Sequence, residues 1–455
     1  MKGWLLQLCI ALISCIFFAC KKQKVEQYRV SLNSQTPQTL SFNGLSPSIQ
    51  ADSVDLFADI VINYKKLGSH VIALKNFTLK NGKLPVPGNE RSTDTNFVFE
   101  PESDLEPHTI YQASATLIVT GTGRDDRIVN GYGTNNLQTF LADTSHVSVS
   151  WSFKTRGGYI YSIRRTSTSV TDFSRDGNKV MQMGDYLYTY GGWSAVPHGS
   201  HNDIYRSGGD LTTWEKLPDA PWEGRHTHGI GKIDTNLYIF GGDHLSTVFD
   251  VWKTTDGLNF QQVQQDVNSV LGPRILYGSC VHNNKLYILG GQASLDNNMG
   301  KTDVWVSTRG TFWKKVATGL PFLGKNISGV VASFNNRIWV VGGGYYRDPD
   351  MSVRYTNEVY SSEDGIDWRR EPDAPWLPRQ YADVCVWNGR LWMIGGYNEN
   401  NLSDIWYMTK DGTWHEYKPE GGFLERHASG VGVYNDQLVI VCGNYYNDAW
   451  VISKE

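Results

Sequence analysis

Five arginines and one lysine recur through the second two-thirds of this chain, each suited to bind a carboxylate. They are Arg175, Arg225, Arg274, Lys325, Arg379 and Arg426. A guanidinium is a planar fork that donates two parallel hydrogen bonds to a carboxylate or phosphate. Three positions before four of them stands a flat ring: Trp222, Phe322, Trp376 and Phe423. More rings follow in nearby loops, among them Trp193, Tyr345, Tyr346 and Tyr397. Such rings offer apolar faces with polar tips to sugars and peptide side chains. Cationic forks among flat rings suit a carboxylated sugar, an acidic glycan or an acidic peptide. The six basic residues, with Trp193, Trp222, Tyr345, Tyr346, Trp376 and Tyr397, are therefore the candidate ligand-binding set.

The elements that position these residues are written in a repeat. Six hydrophobic runs end in Gly-Gly or a near copy: Tyr186–Gly192, Leu237–Gly242, Leu286–Gly291, Ile338–Gly343, Leu391–Gly396 and Leu438–Gly443. Successive pairs lie 50, 49, 52, 53 and 47 residues apart. A period in this range marks a repeat architecture whose units bury their apolar faces against each other. After each pair comes an acid with an aromatic two positions on: Asp203/Tyr205, Asp250/Trp252, Asp303/Trp305, Glu358/Tyr360, Asp404/Trp406 and Asp448/Trp450. A further aromatic follows in five copies, at Trp214, Phe260, Trp313, Trp368 and Trp414, before the next basic residue.

Each repeat reads as four short strands rich in Val, Ile, Tyr and Trp, bounded by Asn, Asp and Gly. In the second repeat these are His226–Ile233, Asn236–Phe240, Asp250–Lys253 and the segment around Phe260. Asn283-Asn284, Asn335-Asn336 and Asn388-Gly389 supply the positive φ of tight hairpins. From about Tyr159 onward the pattern resembles the kelch family of β-propellers, whose marks are hydrophobic-Gly-Gly, the spaced acid and aromatic, and a later Trp. The resemblance implies an all-β fold of six four-stranded blades around a central channel. The last repeat has only three strands of its own. Tyr159–Ile163 lies upstream of the first blade, and Tyr161 precedes Arg175 by the same 14 residues that separate Phe260 from Arg274. It is expected to supply the missing outer strand and close the ring.

In such a blade the loops before strand one and after strand two emerge on one face, so the basic residues are expected to ring the channel mouth there. Two other readings stand beside this one. The basic residues could join blades through hydrogen bonds to carbonyls, and Trp222 and Trp376 could wedge between blades. The acid–aromatic pairs read as structural.

Signals for a metal or a nucleophile are poorer. His226 and His228 would share one side of a strand, a spacing that could serve zinc or copper with His201 or His244. Galactose oxidase shares the kelch architecture and uses copper with a Cys-linked Tyr. Here Cys280 and Cys385 sit inside strand one and Cys442 at a Gly-Gly place, so that chemistry does not carry over. No cofactor or metal is assigned. Kelch-type sialic-acid mutarotases offer an enzymatic alternative, with Glu223, Glu425 or Asp176 as the base. The first reading is a binding module for a glycan or an extracellular protein.

The N-terminal third bounds the location. Met1-Lys2 precedes an apolar stretch, Trp4–Ala19, which is short for a spanning helix and has the layout of a secretory signal. Ala19-Cys20 at its end resembles the bacterial lipoprotein signal, implying lipidation of Cys20 and an anchor in the cell envelope. Phe17 stands where Leu is usual, and Leu12–Cys15 spells a second candidate. Residues 21–26 read as a tether. Residues 27–155 alternate apolar stretches, such as Val54–Ile62 and Ile110–Val119, with polar turns, and read as an immunoglobulin-like or fibronectin-like β-sandwich. Residues 156–455 form the propeller. With 42 basic and 46 acidic residues and no basic run, nucleic acid is not an expected partner.

Overall fold

The computed structural model describes residues 161–454, apart from 244–248, 265–270, 273, 294–299, 323–325, 346–353, 420–421 and 445. Before that it describes 29–32, 39–46, 59–66, 71–93, 96–105, 109–120, 137–140 and 144–154. Cys20, the tether, Tyr159, Lys325, Tyr346 and His244 lie outside the described residues. The chain divides into two compact units, Met1–Gly158 and Tyr159–Glu455.

In the first unit, ten strands among the described residues form two five-stranded antiparallel sheets. One is built around Val71–Asn81, Ile110–Thr120 and Thr144–Lys154, the other around Thr39–Ser46, Ile60–Lys66 and Asn96–Pro101. The sheets meet where Phe77 stacks on Phe99 with ring centroids 4.7 Å apart. Ile60, Ile62, Leu79, Leu117 and Phe153 are buried with them.

The second unit contains, among the described residues, six four-stranded antiparallel sheets and two small two-stranded ones. The first large sheet is Lys179–Met183, Tyr186–Ser194, Gly199–Gly208 and Glu215–Leu217. The second is Gly229–Ile233, Asn236–Phe240, Val251–Thr254 and Gln261–Gln264. The third begins at Gly278–His282, the fourth at Val331–Phe334, the fifth at Asp383–Trp387 and the sixth at Gly430–Tyr434. After a polar first residue, second strands such as Asn236–Phe240 are continuously apolar because neighbouring sheets cover both faces: Leu237, Tyr238, Ile239 and Phe240 are all buried. Outer strands carry exposed charge, as at Lys314-Lys315 and Arg369-Arg370. This is a β-propeller arrangement.

The sixth sheet is completed from the other end of the unit. Tyr161–Ser167 pairs antiparallel with Ala449–Lys454. The Tyr161 ring lies 4.9 Å from Trp392 and 5.5 Å from Trp387 of the fifth sheet. Neighbouring sheets are also laced at the glycine pairs. Gly192, Gly343 and Gly396 each donate an amide to the carbonyl of the next sheet's arginine (Arg225, Arg379, Arg426), at 2.9 Å. Gly443 donates to Arg175 at 2.8 Å, linking the sixth sheet back to the first. A Cβ on Gly191 would stand 2.6 Å from the Arg225 carbonyl, at φ 58°, which explains why this place is glycine.

One boundary differs from the sequence expectation. First strands begin three to five residues later than predicted. His226 makes only an isolated bridge to Asp243, and Thr227 (φ 50°) turns the chain before Gly229.

Candidate functional site

The recurring arginines are not a cationic ring. Arg175, Arg225, Arg274, Arg379 and Arg426 are at most 3% exposed. Each grips the aspartate of its own sheet's acid–aromatic pair. Arg225 reaches Asp250 at 2.5 and 3.0 Å, Arg274 reaches Asp303 at 2.9 and 3.2 Å, and Arg426 reaches Asp448 at 2.9 and 3.3 Å. Arg379 holds Asp404 at 2.6 and 2.7 Å, and Arg175 holds Asp203 through one nitrogen. The same guanidiniums donate to the carbonyls of Gly241, Gly290, Gly395 and Cys442. One side chain thus staples the start of strand one to the end of strand two and the start of strand three. The forks predicted for a ligand carboxylate are filled by the protein's own.

The aromatics complete this staple. Trp252, Trp305, Trp406 and Trp450 donate their indole N–H to the same aspartates at 2.7–2.8 Å. Trp222 and Trp376, expected as ligand rings, are buried, with the guanidinium carbons of Arg225 and Arg379 5.8 and 5.4 Å from their ring centroids. Asp203 marks the contrast. It has Tyr205 in place of Trp and a one-nitrogen grip, and burial pushes its carboxyl up against the pull of Arg175. At Asp303 burial also pushes up, but the two-pronged Arg274 and the Trp305 indole outweigh it and the carboxyl is held low.

What remains at the mouth is built from the residue after each arginine. Asp176, His226, Ile275 and Gln380 bridge to Trp193, Asp243, Gln292 and Tyr397, the residue after each glycine pair. On one side of the mouth the rings gather. Tyr397 lies 6.1 Å from Tyr355 and 5.7 Å from His427, and Tyr381 lies 5.9 Å from His427. His427 Nδ1 donates to Asn401 Oδ1 at 2.7 Å, since a carboxamide oxygen only accepts. Its Nε2 then faces Asp176 Oδ2 at 3.7 Å. Burial pushes the His427 imidazole down to about 4, so it is neutral at pH 7. Tyr345 sits beneath Arg354 at 5.5 Å, and Trp193 packs edge-on to His198 at 5.0 Å. Trp193, Tyr345 and Tyr397 thus follow the glycine pairs of the first, fourth and fifth sheets. Exposed carboxylates, Glu223 and Glu425, stand beside the mouth.

The chain is similar to kelch-domain proteins. It is 24% identical over 312 residues to Kelch domain-containing protein 3 of Rattus norvegicus and, over the same length, to that of Homo sapiens, covering 59% of this chain and 77% of each relative. It is 28% identical over 197 residues to Acyl-CoA-binding domain-containing protein 5 of Arabidopsis thaliana, covering 41% of this chain and 28% of that protein. No family model matches the chain. These likenesses and the stacked four-stranded sheets support a kelch-type propeller.

Just inside the mouth, kelch-type blades join through backbone. Thr227 donates to Gly177, Ile327 to Leu276, Ala428 to Tyr381 and Gly177 to Ala428, at 2.6–3.1 Å. Four of the six first strands begin at or near a glycine two residues later (Gly229, Gly278, Gly329, Gly430). The first and fifth carry Lys179 and Asp383 there. The sequence reading missed this pair, although a charge in a column of glycines is a visible signal. Lys179 Nζ approaches Asp383 Oδ1 at 3.8 Å, and the Ser429 amide donates to Asp383 Oδ2 at 2.6 Å. Burial pushes the Asp383 carboxyl up to about 7 against both partners.

His226 and His228 do not share a side. The left-handed Thr227 between them breaks the alternation. His226 faces Ser200 (2.9 Å) and Asp243 (3.7 Å), while His228 is buried beside Gly191. Burial pushes His228 well below the usual imidazole range. Among the described residues, no group of three or more His, Cys, Asp or Glu side chains is arranged to hold a metal ion.

Proposed function

We propose that residues 159–455 form a closed six-bladed kelch-type propeller that acts as a binding module, and that its mouth takes a neutral glycan. The observation that carries this reading is the Tyr355–Tyr397–His427 cluster beside Asp176, at a rim from which the guanidiniums have been withdrawn. Flat rings suit the apolar faces of sugars. With Nδ1–H committed to Asn401, the His427 Nε2 is an acceptor that a ligand hydroxyl can donate to. Carboxylates at the mouth disfavour an acidic ligand, which reverses the charge preference expected from the arginines. The mutarotase alternative loses its guanidinium clamp for the same reason. A protein ligand engaging the same rim is the second reading, supported by the likeness to kelch-domain proteins.

In this account Cys20 carries lipid, residues 21–26 are a tether, and the N-terminal unit is an immunoglobulin-like or fibronectin-like sandwich spacing the propeller from the cell envelope. Labelling with a palmitate analogue should mark the wild type and not Cys20→Ser. A glycan array with residues 27–455 tests the ligand. Neutral glycans should bind in preference to carboxylated ones, and Tyr397→Ala should weaken them about tenfold, the loss of a stacked ring. Selective binding of carboxylated glycans would overturn this reading.

A further inference from the structure

Two cations, Lys253 and Arg309, line a groove at the other end of the propeller. A groove of about 840 Å³ opens between the second and third sheets, lined among others by Asp234, Tyr238, Lys253, Asn284, Arg309 and Thr311. Strand one runs away from the mouth, so the turn holding Asp234, the turn holding Asn284 and the Thr308–Thr311 turn all fall on the face opposite the mouth. Tyr238 and Lys253 are directly opposed on adjacent strands of the second sheet, so their side chains stand on one face of it. Arg309 comes from the third sheet's turn. Neither Lys253 nor Arg309 is in an ion pair among the described residues, unlike the arginines of the staples.

We propose that this groove is a second binding site, for a saccharide carrying a carboxylate. Lys253 and Arg309 receive the carboxylate from two sides, one as a point charge and one as a fork. The Tyr238 hydroxyl, Asn236, Asn284, Thr308 and Thr311 supply donors and acceptors for ring hydroxyls. Asp234 accepts from Asn284 at 3.4 Å and can accept from a sugar hydroxyl as well. Ile233 and Val263 are the aliphatic part of the lining, too little to seat the side chains of a peptide.

The test is calorimetric titration of the full chain with tetragalacturonate and with its carboxyl-reduced, neutral counterpart. The acidic tetrasaccharide should bind and the neutral one should not. Arg309→Gln and Lys253→Gln, both of exposed or half-exposed side chains, should each weaken binding about tenfold or more, as expected for a charge-assisted contact. Tyr397→Ala at the mouth should leave this affinity unchanged, which separates the two sites. No binding, equal binding of the reduced sugar, or insensitivity to both groove variants would overturn the site. Equal binding of tetraglutamate would overturn the assignment to a saccharide.

Discussion

Asp404 is held by both terminal nitrogens of Arg379, at 2.6 and 2.7 Å, with the arginine side chain fully buried and the aspartate side chain 26% exposed. Removing one partner of a buried pair leaves the other charge without compensation, which costs roughly 3–5 kcal/mol. Asp404→Ala, which strands the buried guanidinium, should lower the unfolding free energy by that scale, Arg379→Ala should lower it by less because the carboxylate is partly exposed, and the double variant should lose less than the sum of the two. Additive losses would mean that the pair does not act as a unit.

Stability should depend on pH through Asp383 with an unusual sign. Its folded pKa, about 7, lies above the unfolded value of 3.8. The folded state therefore binds the proton more tightly. The resulting stabilisation is fully present below about pH 4 and is lost as pH rises through 7. Three units correspond to on the order of 4 kcal/mol. The lowered pKa values of His201 and His427 act oppositely, removing stability as pH falls from 6.5 toward 4. The difference between variants isolates Asp383. Asp383→Asn should raise the melting temperature at pH 8 and raise it distinctly less at pH 5, where only part of the linkage remains. An equal effect at both pH values would contradict the raised pKa.

In the proposed closed propeller the closing strand is Tyr161–Ser167, which pairs with Ala449–Lys454. The Tyr161 ring touches Trp387, Trp392, Tyr407 and Tyr417, and the Asn388 side-chain amide donates to its hydroxyl at 2.9 Å. Tyr161 is half-buried, so Tyr161→Ala should cost about 2 kcal/mol, below the scale of a fully buried aromatic truncation. Deleting residues 161–167 should expose the Ala449–Lys454 edge and promote aggregation, read by light scattering. A monomeric deletion variant with an unchanged melting temperature would show that the strand does not close the ring.

The repeat was legible because glycine pairs and hairpin residues mark backbone positions that no other residue fills comfortably. The six sheets and the closing strand followed from that spacing. The role of the arginines was harder to see. Arginine and aspartate recur together, 25 residues apart in the second and fifth sheets, and a linear pattern does not say that they meet. The clue was joint substitution: the repeat that has Lys325 also has Glu358 in place of aspartate. The His427–Asp176 pair was illegible for a different reason. Its members come from opposite ends of the unit and meet only when the ring closes. The turns at Asp256, Asp364 and Asp411 were also overlooked. There a carboxylate accepts backbone amides and a Thr or Ser hydroxyl, and these contacts outweigh burial and hold it low.

Salt dependence of binding at the mouth tests the central claim most directly. The affinity of the strongest array ligand should be measured by titration from low to high sodium chloride. A rim whose guanidiniums are tied to internal aspartates, binding through rings and hydroxyls, predicts a dissociation constant that stays within about twofold, since screening acts on charges. A steep loss of affinity with salt that Tyr397→Ala does not alter would mean that cations at the mouth do the binding, and would contradict the account.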